Sequence, residues 1–139
     1  LFDNISEKKI SILGFAFKAN TNDTRNSPCI DICNELLEEG ANLSIYDPKV
    51  EREKVYLDLN FDSKSNDKGN LQFCNSIEES ALDSHAILIL TEWNEFKNIN
   101  WAKLSKIMKK PSWIFDTRFC TDREVAIKAG FNYWGLGSQ

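Results

Sequence analysis

The sequence is poor in histidine and in long apolar runs, and its cysteines are scattered. It has one histidine and four cysteines, and no two cysteines form a Cys-x-x-Cys pair. This pattern excludes a typical zinc site or disulfide framework and favours reduced thiols in a cytoplasmic protein without a bound metal. Apolar runs such as residues 86–90 are far too short to cross a bilayer. No signal peptide is visible, so we expect no membrane partner.

The sequence also has no excess of basic residues. The chain has 17 lysines and arginines against 21 aspartates and glutamates, for a net charge of −4. Its two Lys-Lys pairs, at residues 8–9 and 109–110, lie far apart in a chain with more acids than bases, and we read no basic stripe from them. Nucleic-acid-binding modules usually carry such a stripe, and we therefore expect no nucleic-acid partner.

What the sequence does contain is a regular alternation of strand-length apolar runs with amphipathic segments of helix length. Over 139 residues this alternation predicts one α/β domain with a doubly wound, mostly parallel sheet of about five to six strands, Rossmann-like and three-layered. The polar stretch at residues 60–70 is predicted to be a surface loop. The predicted strands cover residues 9–17, 42–46, 71–74, 86–91, 113–116 and 132–136, and the predicted helices cover 27–39, 51–57, 76–82, 101–108 and 122–129.

The first predicted strand-to-helix connection, ILGFAFKANTNDTRNSP at residues 12–28, lacks the glycines of a dinucleotide-binding turn. Bulky Phe15 and Phe17 would keep a main chain from closing on a pyrophosphate. Lys18 and Arg25 stand at the two ends of a long loop, and Arg118 follows the predicted fifth strand. Cations at strand ends suit a pyrophosphate-bearing ligand. Solvated cations, with Arg25 paired to a neighbouring aspartate, are the alternative from the residues alone.

Four motifs in order, GFAFKANTNDTRNSP, IYDP, ILTEW and IFDTR, resemble the C-terminal domain of the nucleotide-sugar dehydrogenases, and most of all the UDP-glucose 6-dehydrogenase branch. The resemblance covers nearly the whole chain. It implies that residues 1–139 form a single C-terminal UDP-sugar-binding domain within a longer enzyme, which also has an N-terminal domain that binds most of the NAD and a central domain, and which is an oligomer. That enzyme oxidises UDP-glucose to UDP-glucuronate in two NAD-dependent steps through a cysteine thiohemiacetal and thioester.

The resemblance also assigns residues. Phe17 and Lys18 match the positions that contact the UDP-sugar, Arg25 matches the arginine that reaches NAD, and Arg118 matches a second substrate contact. The last motif departs from the family, because Thr117 replaces the usual glycine. If that glycine serves a positive φ, the threonine is strained and Arg118 is displaced.

No catalytic residue is expected in this chain. The family's nucleophile lies in a glycine-rich Ser-Cys-Phe-Pro-Lys segment, which is absent here. Cys29 begins a predicted helix, where a thiolate is favoured, but packing is the preferred interpretation. Two alternatives stay open: a domain of a GDP-mannose or other nucleotide-sugar dehydrogenase, and a free-standing nucleotide-sugar-binding module.

Four other residues near strand ends have ordinary structural interpretations. His85 is expected at the surface of a helix-strand junction, and Trp93 is expected to be a packing anchor. Asp47, followed by a proline, is expected to form a turn. For Asp116 two roles stay open, orienting Arg118 or capping the next helix.

Overall fold

A computed structural model describes residues 4–61 and 69–135. The described residues form six strands and five α-helices, and a 3₁₀ turn lies at Asn94–Asn98. The strands are β1 Lys9–Leu13, β2 Asn42–Tyr46, β3 Leu71–Phe73, β4 Ala86–Ile89, β5 Trp113–Asp116 and β6 Asn132–Gly135, and the helices are α1 Pro28–Glu38, α2 Arg52–Asp58, α3 Ile77–Ala81, α4 Trp101–Ile107 and α5 Arg123–Lys128.

All strand pairs are parallel, and the order across the sheet is β3-β2-β1-β4-β5-β6. The predicted doubly wound, Rossmann-like α/β class is confirmed. The chain reverses its direction of winding between β1 and β4, so the carboxyl ends of these two strands form the topological switch point, where ligands bind in open α/β sheets. On one face α3 packs against β1 and β2, and α3, α4 and α5 contact one another in sequence.

Helix α1 shows why these segments fold as they do. The Ser27 side chain caps it by accepting a hydrogen bond from the N–H of Cys29, and Pro28 occupies its first turn. Buried Cys33 and Leu37 lie one helical turn apart on the face that packs against the sheet. The helix ends at Glu38, and Gly40, just after the cap residue Glu39, has a φ of +89° that is easy for glycine and costly for other residues.

The ends of three strands differ from the prediction, and the smallest difference is in β3, which ends at Phe73, one residue early. The first strand was expected to run to residue 17 but ends at Leu13, because Gly14 has a φ of +98° and leaves the extended conformation. Strand β4 ends at Ile89, two residues early. The turn at Asn94–Asn98 was not predicted, and most of the predicted loop 60–70 lies outside the described residues. Within the described part, no helix has both the length and the apolar character that a membrane span requires.

Candidate functional site

The switch point is closed by a tight contact between β1 and β4. A Cβ atom on Gly14 would lie 2.5 Å from Cβ of Thr91 and 2.8 Å from its backbone nitrogen, so only glycine fits. The Thr91 hydroxyl donates a hydrogen bond of 2.8 Å to the carbonyl oxygen of Ala16. The two strand ends are therefore joined directly, with no room between them for a phosphate group.

Asp47 organises the first turn from the end of β2. It is 4% exposed, and its Oδ2 accepts hydrogen bonds from the backbone N–H groups of Phe15 and Ala16 at 2.8 and 3.0 Å and from the indole N–H of Trp93 at 3.1 Å. Its Oδ1 accepts the backbone N–H groups of residues 49 and 50 at 2.8 and 2.9 Å. The predicted turn at Asp47 is confirmed, and so is the prediction that Trp93 is a buried packing anchor.

This arrangement explains why the first turn is not a dinucleotide-binding turn. In such a turn, backbone N–H groups after the first strand face a pyrophosphate. Here the N–H groups of Phe15 and Ala16 donate to Asp47 instead. The Phe15 side chain is fully buried in the core. The residues present at this turn therefore do not fit a dinucleotide.

After this turn the chain comes to the surface. The side chain of Phe17 is 44% exposed, and Lys18 is also exposed. The backbone N–H of Phe17 donates to the carbonyl oxygen of Asp23 at 2.7 Å. The N–H of Ala19 donates to Oε1 of Glu92, beyond the end of β4, at 3.2 Å. The backbone on both sides of Lys18 is thus held while its side chain is presented to solvent.

The side chain of Arg25 is 84% exposed to solvent. Its Nε and Nη2 donate to Oδ1 and Oδ2 of Asp23 at 3.0 and 2.9 Å, so the pairing expected as the alternative is present. The Arg25 hydrogen bonds lower the pKa of Asp23 to about 2. Between these two residues, buried Thr24 donates its hydroxyl hydrogen to Asp58 at the end of α2. Asp58 was missed in the sequence, because nothing local links it to this loop.

Arg118 leans from the end of β5 across the end of β4. Its backbone N–H donates to Oδ1 of Asp116 at 2.9 Å, and its Nε donates to the carbonyl oxygen of Leu90 at 3.1 Å. Its Nη1 lies 3.6 Å from Oε2 of Glu92. Of the two roles open for Asp116, the structure supports orientation of Arg118, since the cap of α5 is Asp122.

Asp116 is ionised in spite of its burial. Burial by itself raises its pKa, but hydrogen bonds from Thr121 and from the backbone N–H of Arg118 outweigh that effect and lower the pKa overall. The hydroxyl group of Tyr133 on β6 also donates to the same carboxylate, at 3.2 Å. The turn that carries Arg118 is therefore fixed at its base by a charged acceptor.

The strain expected at Thr117 does not arise. In the described part of this turn, the positive φ of 58° belongs to Phe119 and not to Thr117. The Thr117 hydroxyl donates to the carbonyl oxygen of Ile89 at 2.7 Å, which fastens the turn to β4. Phe119 projects outward and is 71% exposed. The threonine is accommodated, and Arg118 remains over the switch point.

The remaining candidates have structural roles. All four cysteines are buried, and burial raises the pKa of each thiol, which keeps it protonated. The packing interpretation of Cys29 is confirmed. His85 is half-buried at the junction before β4, where its Nδ1 accepts the backbone N–H of Lys9 at 3.2 Å, and burial lowers its pKa.

Lys18 lies on the loop after β1 and Arg118 on the loop after β5, on either side of the end of β4, and we call this edge the rim. A groove of about 810 Å³ lies elsewhere, over the ends of β2 and β3, and is lined in part by Lys49, Arg52 and Tyr56. Neither Lys18 nor Arg118 lines that groove. At the rim, the backbone next to Lys18 and the guanidinium of Arg118 meet at one carboxylate, that of Glu92.

Comparison with known proteins shows the family of the chain. A model of the UDP-glucose/GDP-mannose dehydrogenase family, UDP binding domain, matches residues 11–123. The chain belongs to this family. The match begins within β1 and ends at the start of α5, so it includes all four residues assigned from the motifs: Phe17, Lys18, Arg25 and Arg118.

Individual family relatives agree. The chain is 41% identical over 143 residues to a UDP-glucose 6-dehydrogenase of Drosophila melanogaster, a match that covers 100% of this chain and 30% of the relative. It is 45% identical over 125 residues to a UDP-glucose 6-dehydrogenase of Bos taurus, covering 88% of this chain and 25% of that protein. The chain therefore spans less than a third of the length of these relatives.

A solved structure shares the fold. The UDP-D-ManNAc dehydrogenase of Pyrococcus horikoshii superimposes with a TM-score of 0.72 at 28% identity, covering 96% of this chain and 26% of that one. The fold of this chain thus matches about a quarter of a larger dehydrogenase.

Proposed function

We propose that this chain is the UDP-sugar-binding domain of an NAD-dependent UDP-glucose 6-dehydrogenase, and that the diphosphate of UDP-glucose binds at the rim between Lys18 and Arg118. The observation that carries the proposal is the placement of Arg118, which Asp116, Leu90 and Glu92 hold over the switch point. A guanidinium held in this way has donors in a fixed geometry that matches phosphate oxygens.

The exposure of Phe17 and Lys18 also fits a binding site that lies between two domains. A pocket of a single domain encloses most of its ligand, whereas Phe17 and Lys18 face outward on an exposed loop. In the proposal, the rest of the longer enzyme covers this rim and the sugar nucleotide lies between the domains. Phe17 then supplies an apolar wall, and Lys18 supplies a point charge to the diphosphate.

The cofactor is assigned to another part of that enzyme. The first turn of this chain has its N–H groups committed to Asp47 and does not fit NAD. Arg25, whose side chain is 84% exposed, is the residue that we propose reaches a phosphate of NAD held by the N-terminal domain. NAD supplies the hydride acceptor for both oxidation steps, while this chain binds and orients the substrate.

The catalytic nucleophile is proposed to be a cysteine of the central domain. The buried, protonated thiols of this chain are unsuited to attack a sugar aldehyde. We therefore expect the 139-residue chain to bind nucleotide without oxidising UDP-glucose. NADH formation from UDP-glucose by the purified chain would contradict this assignment.

The test of the diphosphate site is Lys18→Ala in the full-length protein, measured as the KM for UDP-glucose and the Kd for UDP. Loss of one charged contact worth about 1.5–3 kcal/mol predicts binding roughly 10- to 100-fold weaker. Lys128→Ala is the matched control, because Lys128 is exposed in the last turn of α5, away from the rim. Equal affinities of the wild-type and Lys18→Ala proteins would refute the site.

Substrate choice is tested by titrating the same protein with UDP-glucose and GDP-mannose. We expect saturable binding of UDP-glucose and at least a tenfold weaker response to GDP-mannose, in keeping with the UDP-glucose 6-dehydrogenases at 41% and 45% identity. The opposite preference would assign the chain to a GDP-mannose dehydrogenase.

A further inference from the structure

Glu92 occupies a central position in the rim that the motif comparison does not assign to any role. It follows β4 at the switch point, between the two cationic positions. Its Oε1 accepts the backbone N–H of Ala19, next to Lys18, and its Oε2 lies 3.6 Å from Nη1 of Arg118. One carboxylate therefore connects the loop after β1 with the loop after β5, across the strand that separates them.

The second carboxylate oxygen of Glu92, Oε2, is buried without a hydrogen-bond donor among the described residues. Its nearest cationic neighbour, the Arg118 guanidinium, is close enough for electrostatic attraction but too distant for a hydrogen bond. A shielded, charged oxygen without a donor is costly, and such a cost is retained most readily where it holds another group in place.

The geometry points to Glu92 as a positioning residue for diphosphate recognition. Leu90 fixes Arg118 through Nε, and Glu92 draws Nη1 toward the loop that carries Lys18. Among residues 4–61 and 69–135, Nη2 of the guanidinium has no hydrogen-bond partner, and we assign it to a phosphate oxygen. The inference rests on the proposed function, because it names the residue that arranges the two cations for a nucleoside diphosphate.

Charge repulsion alone and a positioning role predict opposite changes in anion binding when the charge of Glu92 is removed. A negative charge next to an anion site weakens anion binding by Coulomb repulsion, so removal of that charge alone would strengthen binding. A positioning role predicts weaker binding instead, because Arg118 loses its orientation while the net positive charge of the rim increases. The direction of the change therefore distinguishes the two.

The experiment is Glu92→Gln in the full-length protein, with kcat/KM for UDP-glucose measured at low substrate, where it stays measurable even when affinity is poor. The glutamine oxygen still accepts from Ala19, so the backbone of the loop is kept. In the protein that retains Arg118, we expect Glu92→Gln to lower kcat/KM about fivefold or more. In a protein that already carries Arg118→Ala, we expect the same substitution to change kcat/KM by less than about twofold. The fall should arise from KM, with kcat nearly unchanged. Glu124→Gln, on the exposed first turn of α5, is the control for loss of one negative charge.

Several outcomes overturn the inference. They are an unchanged or increased kcat/KM in Glu92→Gln, or an equal fall with and without Arg118. Arg118→Lys is a second variant that does not depend on the folding of Glu92→Gln. It keeps the charge but loses the Nε–H donor to Leu90, and we expect a fall at least as large; wild-type behaviour of this variant would also refute positioning. If the wild-type protein neither binds UDP nor oxidises UDP-glucose, the proposed function fails first. A functional wild type with a neutral Glu92→Gln rejects the positioning role alone.

Discussion

The strongest structural prediction concerns Asp47, which we expect to be indispensable to the fold. The carboxylate accepts five hydrogen bonds from residues of three chain segments. Asp47→Asn preserves the shape of the side chain but leaves a single acceptor oxygen. If that oxygen takes the place of Oδ2, the new NH2 group takes the place of Oδ1 and faces the N–H groups of Lys49 and Val50. All three groups are hydrogen-bond donors, so both backbone N–H groups lose their acceptor.

The magnitude follows from these contacts. Hydrogen bonds to a charged acceptor contribute about 1.5–3 kcal/mol each, and leaving buried donors unpaired costs a similar amount. Loss of two of them lowers the free energy of unfolding by about 3–6 kcal/mol. Because Asp47 is only 4% exposed, water does not replace the lost acceptor. Domains of this size are stable by about 5–15 kcal/mol, so the variant is expected to lose a large share of its stability.

The assay is thermal unfolding of the chain followed by circular dichroism. At roughly 3 °C per kcal/mol for a domain of this size, the Tm is expected to fall by about 10–20 °C. The matched control is Asp122→Asn, the same chemical change at the cap of α5; asparagine and aspartate cap helices about equally well, so its Tm should stay within a few degrees of wild type. A Tm for Asp47→Asn equal to that of the control would refute the reasoning.

Three further predictions follow from individual contacts. Gly14→Ala should lower the free energy of unfolding by at least about 2 kcal/mol, measured by urea titration, because its φ is +98° and its Cβ would collide with Thr91; an unchanged midpoint would contradict this. Asp23 should titrate near pH 2, and Arg25→Ala should return its pKa toward 3.8, as followed by NMR. A lowered folded-state pKa means that this pair stabilises the fold above about pH 3.8 and that its contribution is lost as the pH falls toward 2. Cys29 should resist alkylation at pH 7 until the chain unfolds, since burial raises its pKa; rapid labelling of the folded chain would contradict the packing role.

Much of the fold could be predicted from the sequence, because apolar periodicity and turn residues act over a few neighbouring residues. The predicted bounds of β2 and β5 agree with the structure, and the predicted helices at 27–39 and 76–82 overlap α1 and α3. The same local pattern overestimated β1, since the apolar character of FAF continues past Gly14 although the strand does not. Periodicity reports which side chains are buried, and Phe15 is buried without belonging to a strand.

Only part of the candidate site could be predicted from the sequence. Lys18, Arg25 and Arg118 were assigned from the sequence because they belong to recognisable motifs at strand ends, and their binding roles stay predictions. Glu92 and Asp58 were not assigned a role, because their partners are far away in the chain: Ala19 and Arg118 for the first, Thr24 for the second. A carboxylate's partner depends on which loops meet, and the strand order decides that.

The amino-acid sequence by itself determined the alternation of strands and helices, the missing glycines of the first turn and the motifs that place this chain among the dehydrogenases. These depend on steric and hydrophobic preferences that act over a few residues. Only the tertiary structure decided that β4 lies between β1 and β5, that Asp47 takes the N–H groups a phosphate would use, and that one glutamate joins two cationic loops. Those outcomes require contacts between segments distant in sequence, which form when the sheet is assembled.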